Sequence, residues 1–167
     1  MRIPVFVSCP TTLNAQQNRS RKLIMAQLDK LGLEDRAVGR SDSANENPLR
    51  EVIVLAKHCS GGVILGFEQV FAKSCTAKRK TPLQKTLTNQ SFPTSWNHLE
   101  SGILYSMRLP LIVFRDPNVC GGVFDLGSSD VFVHDMPKSP LTRAAREDLD
   151  SVFLKWQSRV REHYYSW

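Results

Sequence analysis

The sequence lacks any long hydrophobic run. Its longest apolar stretches, residues 62–67 and 109–114, are far shorter than the roughly 20 residues that a helix needs to cross a bilayer. Arg2 is followed by too few apolar residues for a secretory signal peptide. We therefore expect a cytoplasmic protein that does not bind a membrane.

The sequence also has few cysteines, and they stand far apart. Cys9, Cys59, Cys75 and Cys120 form no C-x-x-C pair, and the four histidines do not stand beside them at metal-binding spacing. This argues against a zinc knuckle and against a redox dithiol. We expect reduced thiols, no metal site and no cofactor.

The composition is that of one folded domain. The 167 residues are 41% hydrophobic and 23% charged, which argues against disordered and fibrous proteins. Domains typically hold about 100–150 residues, so we expect a single domain over residues 1–167. The net charge of +6 indicates an anionic partner and leaves nucleotides, nucleic acids and acidic proteins open.

Short apolar runs alternate with helical patterns along the chain. Continuous apolar runs bounded by turn residues indicate buried strands, and apolar residues at helical spacing with capping signals indicate helices. The predicted strands are residues 3–8, 36–40, 62–67, 110–115 and 131–134. The predicted helices are residues 14–31, 48–60, 95–107 and 139–162.

This alternation predicts an α/β fold. Strands joined by helices pair in parallel through right-handed crossovers, and continuously apolar strands belong to sheets covered on both faces. We expect a flavodoxin-like, doubly wound, mostly parallel five-stranded sheet with helices on both faces. Ligands bind such sheets beyond the carboxyl ends of the strands. The loops after Ser8, Phe67 and Arg115 are therefore expected to line one pocket, together with the helix that begins near Trp96.

Residues 71–94 show no sustained period and are rich in basic residues. We predict a long basic connection, centred on residues 73–85, because connections of this length are usually functional or mobile. The cluster at 78–80 is either a solvated loop or an element that attracts phosphate. Interleaved aromatic residues and a recognition helix are not evident, so a nucleic-acid partner is not expected.

Glu100 is the principal candidate for catalysis. It follows the predicted start of the helix at the pocket edge. A carboxylate there can stabilise or attack the oxocarbenium-like carbon of a ribose that loses its base. The alternative is structural, because Asn97 and Glu100 also match a capping box. Trp96 likewise either packs in the core or stacks on a ligand, and spacing alone leaves these alternatives open.

The motif around Glu100 resembles two families. Trp96-x-x-x-Glu100, followed by the predicted strand 110–115, is similar to the Trp-x-x-x-Glu region of TIR domains, in whose NAD-cleaving members the Glu is catalytic. The stretch from Trp96 through Gly102 to Pro110 also resembles the Glu-x-Gly helix and following strand of nucleoside 2-deoxyribosyltransferases, whose Glu is the nucleophile. Both families have a flavodoxin-like sheet and break or exchange an N-glycosidic bond. The resemblance implies the same role for Glu100.

The transferase pattern Asp-x-Gly-Thr is absent before Glu100, where residues 92–95 read Phe-Pro-Thr-Ser. This difference favours the NAD-cleaving side of the resemblance. It implies an N-glycosidase that cleaves the nicotinamide–ribose bond of NAD or a related nucleotide, by hydrolysis or by cyclisation to an ADP-ribose signal, as in antiviral defence. The alternatives are a nucleoside 2-deoxyribosyltransferase or nucleotide N-glycosidase, and a non-catalytic nucleotide-sensing or TIR-type assembly module. A homo-oligomer or a partner protein is expected as the trigger.

Eight residues are predicted to bind the substrate around Glu100. They are Ser8, Pro10, Arg40, Asp42, Phe67, Trp96, Asn97 and Asp125. Each weaker assignment has a structural alternative: a turn former at Ser8, a solvated loop at Arg40 and Asp42, core packing at Phe67, and a glycine-rich turn around Asp125.

Overall fold

A computed structural model of the chain describes residues 2–37, 48–127 and 131–166. The strands, in chain order, are β1 (Ile3–Ser8), β2 (Leu33–Arg36), β3 (Gly62–Gly66), β4 (Val70–Ala77), β5 (Lys85–Phe92), β6 (Leu111–Arg115) and β7 (Phe132–Asp135). The helices are α1 (Ala15–Lys30), α2 (Pro48–Lys57), α3 (Ser95–Ser106) and α4 (Arg143–Tyr165). Helices and strands alternate, apart from the consecutive strands β3, β4 and β5 and the strands β6 and β7, which only a short 3-10 helix (Gly122–Phe124) separates.

The main sheet is parallel, in the order β2-β1-β3-β6-β7. β1 pairs with β2 from Ile3 opposite Leu33, and with β3 from Phe6 opposite Gly62. The chain thus runs from β1 to β2 on one side and then to β3 on the other. The topological switch point therefore lies between β1 and β3, and the predicted flavodoxin-like α/β fold is confirmed.

The core covers both faces of the sheet. Successive side chains of a strand point to opposite faces, so the continuous apolar runs of the central strands supply both layers. Val5 and Leu65 pack on the side of α1 and α4. Phe6 and Ile64 pack on the side of α2 and α3.

The helix and strand boundaries follow capping chemistry. At the start of α1 the Asn14 side chain accepts a hydrogen bond from the Gln17 N–H (2.9 Å), and the Gln17 side chain accepts one from the Asn14 N–H (3.1 Å). This capping box sets the predicted start of the helix. α4 begins later than the predicted residue 139, because the Thr142 hydroxyl accepts a hydrogen bond from the Ala145 N–H (3.2 Å) and caps the helix there.

β2 lies earlier in the chain than predicted. The prediction placed it at residues 36–40, whereas the strand spans Leu33–Arg36. Leu33 is buried and enters the core directly after the turn at Gly32. The three residues that follow Leu33 are polar, so the strand lacks the apolar run by which buried strands are recognised. An edge strand can form with so few apolar residues because part of it faces solvent.

The prediction that residues 71–94 form an irregular connection is wrong. β4 and β5 form an antiparallel hairpin, in which Val70 pairs with Phe92 and Ala77 with Lys85. Most of its side chains are exposed on both faces. A strand without a buried face has no hydrophobic alternation, which is the signal by which strands are found in a sequence.

Within the described ranges, none of the helices is long and apolar enough to cross a lipid bilayer.

Candidate active site

A cavity of about 260 Å³ lies at the carboxyl edge of the sheet, beside the switch point. Its walls come from residues 8–11 at the end of β1, from Pro48 and Val52 at the start of α2, and from the first turns of α3 between Thr94 and Glu100. Ligands bind at this place in sheets of this topology. The structure therefore brings the end of β1 and the Glu100 helix together, as the sequence predicts. The prediction that the loops after Phe67 and Arg115 line the same pocket is wrong, because no described residue of either loop contributes to the cavity wall.

The start of α3 decides between the two roles considered for Glu100. The Thr94 hydroxyl accepts a hydrogen bond from the Asn97 N–H (3.2 Å), so Thr94 is the N-cap of the helix. Asn97 lies three residues inside the helix and Glu100 lies in its second turn. The alternative of an Asn97–Glu100 capping box is therefore wrong, and Glu100 is not needed to begin the helix.

Asn97 joins the helix to the end of the sheet. Its side-chain amide is buried and donates hydrogen bonds to the Ser8 hydroxyl (2.8 Å) and to the Leu65 carbonyl (3.4 Å). The Thr94 hydroxyl donates to the amide oxygen of Asn97 (2.9 Å) and fixes its orientation. Asn97 thus positions α3 against β1 and β3.

Glu100 is a residue of the cavity wall whose pKa is shifted from its ordinary value. Its side chain is half-buried, and loss of water around it raises the pKa of the carboxyl above its ordinary value. A hydrogen bond with the Ser8 hydroxyl acts in the opposite direction and favours the ionised form. Because the Ser8 oxygen already accepts from Asn97, its proton is available to the carboxylate.

Trp96 and Pro10 complete the wall next to Glu100. Trp96 is 44% exposed, so its ring is not a core residue and borders the cavity instead. Pro10 is buried in the loop that follows β1. Ser8, Pro10, Trp96 and Asn97 therefore lie around Glu100, and their contact with a substrate stays a prediction.

Phe67 does not belong to this cavity. Its side chain is 0% exposed and packs in the core on the side of α1 and α4. It follows Leu65 at a spacing of two residues, so both side chains point to the same face. The predicted stacking of Phe67 on a base is therefore wrong, and the core alternative is correct.

The remaining predicted residues lie elsewhere. Asp125 accepts a hydrogen bond from the Gly121 N–H (2.7 Å) across the turn that holds both residues, and it does not line the cavity. Closure of Asp125 over a ligand stays a prediction. Arg40 and Asp42 fall in the segment 38–47, outside the described residues.

The sequence reasoning missed several residues of the wall. Thr94 carried a usable signal, because threonine directly before a helical pattern is a preferred N-cap. Pro48 was assigned to the first turn of a helix, but nothing in the sequence placed that turn beside Glu100. Val52 likewise reaches the cavity only through the tertiary fold, whereas Cys9 and Thr11 lie in the loop after Ser8 that was expected to line the pocket.

Two further carboxylates lie at the carboxyl edge of the sheet, outside the cavity lining. Asp116, directly after β6, accepts hydrogen bonds from the Glu68 N–H (2.9 Å) and the Gln17 side-chain amide (3.1 Å). The Glu68 carboxylate accepts one from the Ser91 hydroxyl at the base of the hairpin. These groups connect β3, β6 and the hairpin. Among the described residues that line the cavity, Glu100 is the only carboxylate.

A larger depression of about 810 Å³ lies at the opposite edge, near the start of β6. Tyr105, Arg108 and Arg159 are among its residues. It lies at the amino ends of the strands, whereas ligands of open α/β sheets bind beyond the carboxyl ends. We therefore place the site at the smaller cavity.

The raised pKa of Glu100 predicts a cost to stability at neutral pH. The folded protein retains the proton to a higher pH than the unfolded chain, so its stability falls as pH rises through the folded pKa. Glu100→Gln removes the buried charge and is expected to raise Tm at pH 7 by about 2–4 °C, for about 1 kcal/mol in a domain of this size. Thermal unfolding measures this.

The matched control is Glu162→Gln, at an exposed position of α4. Its Tm is expected to equal that of the unchanged protein at pH 7. A Tm for Glu100→Gln at or below that of the control would contradict a destabilising carboxylate in the cavity.

Comparison with known proteins finds solved structures of similar fold. No protein-family model matches the sequence, and a search of curated proteins found no match. The structure is similar to that of the Clostridium botulinum CMP N-glycosidase BcmB, with a TM-score of 0.51 at 15% identity over 90% of this chain and 98% of that one. It is also similar to the Escherichia coli constitutive lysine decarboxylase, with a TM-score of 0.47 at 11% identity over 98% of this chain and 18% of that one.

The likeness to the CMP N-glycosidase extends over nearly the full length of both chains. At this identity it establishes a shared α/β fold, in agreement with the sheet order described above. The TIR resemblance of the Trp96–Glu100 motif stays a prediction.

Proposed function

We propose that the protein is an enzyme that cleaves the N-glycosidic bond of a nucleotide, with Glu100 as its catalytic carboxylate. The observation that carries this proposal is the half-buried Glu100 at a sugar-sized cavity beside the switch point. The fold relative that is an N-glycosidase supports it. The chemistry of the residues, however, is the principal argument.

The reaction breaks the bond between the ribose C1′ and the base nitrogen, and the bonding electrons leave with the base. Positive charge then develops on C1′ and the ring oxygen. An ionised Glu100 facing that carbon stabilises the charge or adds to it as a nucleophile. Water completes the reaction, giving the free base and the ribose phosphate. Asn97 and Ser8 position the carboxylate and favour its ionised form.

The size of the cavity favours a mononucleotide. Sites for drug-sized ligands typically enclose about 300–1,000 Å³, and the cavity here encloses about 260 Å³. This volume suits a ribose with one base and one phosphate, and a dinucleotide would extend beyond it. α2 and α3 both begin at the cavity, and the amino ends of helices favour phosphate groups. A nucleoside monophosphate is therefore the first candidate substrate.

NAD is the second candidate, and the lone carboxylate favours it. A neutral base leaves easily only if an acid protonates it, and the described residues of the cavity wall supply no second carboxyl group. Nicotinamide in NAD is already positively charged and needs no proton. Hydrolysis of NAD, or its cyclisation to an ADP-ribose signal in defence, would use Glu100 in the same way.

Release of free base tests the proposal. Purified protein is incubated separately with CMP, UMP, AMP, GMP, their nucleosides and NAD, and the products are separated by chromatography. We expect release from at least one nucleotide, and a loss of about 10²–10³-fold or more in kcat for Glu100→Gln. The Glu162→Gln control is expected to retain full activity. Equal release of base by Glu100→Gln and by the Glu162→Gln control would contradict the proposal. Binding of nucleotides without turnover would also contradict it.

Ser8→Ala provides a test of the electrostatics. The Ser8 hydrogen bond favours the ionised carboxylate, so its removal raises the pKa of Glu100 further. Since the ionised form is the active one, the acid limb of the kcat/KM profile is expected to move to higher pH. Activity at pH 5.5 should therefore fall more than activity at pH 8.

Ser101→Ala is the matched control for that profile. Ser101 is a buried serine of the same helix whose hydroxyl donates to the Asn97 carbonyl, and it does not line the cavity. Its acid limb should coincide with that of the unchanged protein. An acid limb that stays in place in Ser8→Ala would show that Ser8 does not tune Glu100.

A further inference from the structure

The hairpin formed by β4 and β5 carries most of the net charge of the protein. Residues 70–92 contain five basic side chains and no acidic one, against a net charge of +6 for the whole chain. The five are Lys73, Lys78, Arg79, Lys80 and Lys85. None of them takes part in an ion pair within the described part of the chain. Their charge is therefore directed to solvent.

The hairpin projects from the domain and packs on little besides itself. Its base is fixed to the sheet edge, where Ser91 forms a β-bridge with Val119 and contacts Glu68, whose N–H donates to Asp116 after β6 (2.9 Å). Eight residues per strand give a length of roughly 25 Å. A two-stranded hairpin with both faces in water is marginally stable alone, which is consistent with a partner that covers it.

The remaining side chains of the hairpin are suited to phosphate and to bases. Hydroxyl and amide groups, which donate hydrogen bonds to phosphates and sugars, occupy many positions on both strands. They are Ser74, Thr76, Thr86, Thr88, Asn89 and Gln90. Phe71 and Phe92, at the base, are 56% and 38% exposed, and exposed aromatic rings are platforms for unstacked bases. One projecting element thus carries aromatic rings at its base and cations from its middle to its tip.

We propose that the β4–β5 hairpin binds the phosphate backbone of a nucleic acid. A protein partner fits less well, because lysine is depleted at protein interfaces and the centre of such interfaces is apolar. A nucleic acid presents closely spaced negative charges along its length, which match the cations that lie from the middle of the hairpin to its tip without an intervening acidic residue. This inference is independent of the proposed N-glycosidase activity and replaces the expectation that nucleic acid is not a partner.

The tip of the hairpin allows a charge-removing variant that leaves the fold intact. Lys78 and Lys80 have φ angles of 51° and 62°, and asparagine is among the residues that best tolerate this region. The tip variant is therefore Lys78→Asn, Arg79→Gln and Lys80→Asn together. A control variant, Arg19→Gln, Lys22→Gln and Lys57→Gln, removes three exposed cations from α1 and α2.

The test measures fluorescence anisotropy of a labelled 20-nucleotide single strand and of its duplex between 50 and 200 mM salt. With up to five phosphate contacts, the slope of log K against log salt is expected near −3 to −4 for the strand and −4 to −5 for the duplex. The tip variant should weaken binding at 50 mM salt at least tenfold and reduce the steepness by about 2–3. The control variant should bind as the unchanged protein does.

Four results would overturn the proposal. The first is no binding at 50 mM salt. The second is equal weakening in both variants, which would reduce the effect to net charge. The third is competition by a 20-residue polyglutamate as effective as that by the oligonucleotide, which would indicate an acidic protein. The fourth is self-association in sedimentation velocity that the tip variant abolishes while the oligonucleotide does not bind. The tip variant is expected to release base from free nucleotides at the normal rate, so failure of one proposal leaves the other testable.

Discussion

The site depends on one buried hydrogen bond, from the side-chain amide of Asn97 to the hydroxyl of Ser8. It joins the first turn of α3 to the end of β1 and, through the Leu65 carbonyl, to β3. A buried amide left without partners would cost about 1–3 kcal/mol, so the helix is held in the position that satisfies it. Glu100 lies one turn further along α3, and the same contact thereby brings its carboxyl to the cavity and to Ser8.

The buried charge of Glu100 lowers the stability of the fold, while the proposed function requires that charge. Glu100 is not required to cap its helix, since Thr94 performs that task. Burial makes its charge unfavourable, and only part of that effect is offset by Ser8. A charge held at a cost, beside an open cavity at the switch point, is typical of a catalytic group. The similarity to a CMP N-glycosidase concerns the fold alone, whereas the geometry and electrostatics of Glu100 are what point to a catalytic group.

Much of the fold could be predicted because its central strands are continuously apolar. β3 and β6 were found within one residue of their ends, and α1 was found from its cap and its glycine stop. The hairpin could not be found, because neither of its faces is buried and its residues follow no period. β2 was misplaced for a related reason, since only Leu33 of that edge strand enters the core.

The candidate site shows the same limits. The Trp96–Glu100 motif identified the catalytic candidate, and the end of β1 followed from the topology of the predicted sheet. The prediction that Phe67 binds substrate is wrong and its core alternative is correct, because the spacing from Leu65 places the ring on the core face. Pro48 and Val52 approach Glu100 only after the helices pack on the sheet, a relation that local sequence patterns do not encode.

The hairpin adds a second surface at the same edge of the sheet. Glu68 and Asp116, which are near the strand ends, hold its base instead of lining the cavity. The carboxyl edge therefore carries two elements: a cavity of about 260 Å³ with the Glu100 carboxylate in its wall, and an exposed hairpin roughly 25 Å long with its cations toward the tip.

The proposed function requires that the Glu100 carboxyl is partly desolvated and faces the space that a ribose would occupy. A carbon-detected NMR titration of this carboxyl, with and without saturating ribose 5-phosphate, measures both properties. We expect titration above the ordinary range for glutamate, and a further rise of the pKa when the sugar phosphate excludes water and adds negative charge. Titration in the ordinary range, unchanged by the sugar phosphate, would contradict the proposed function.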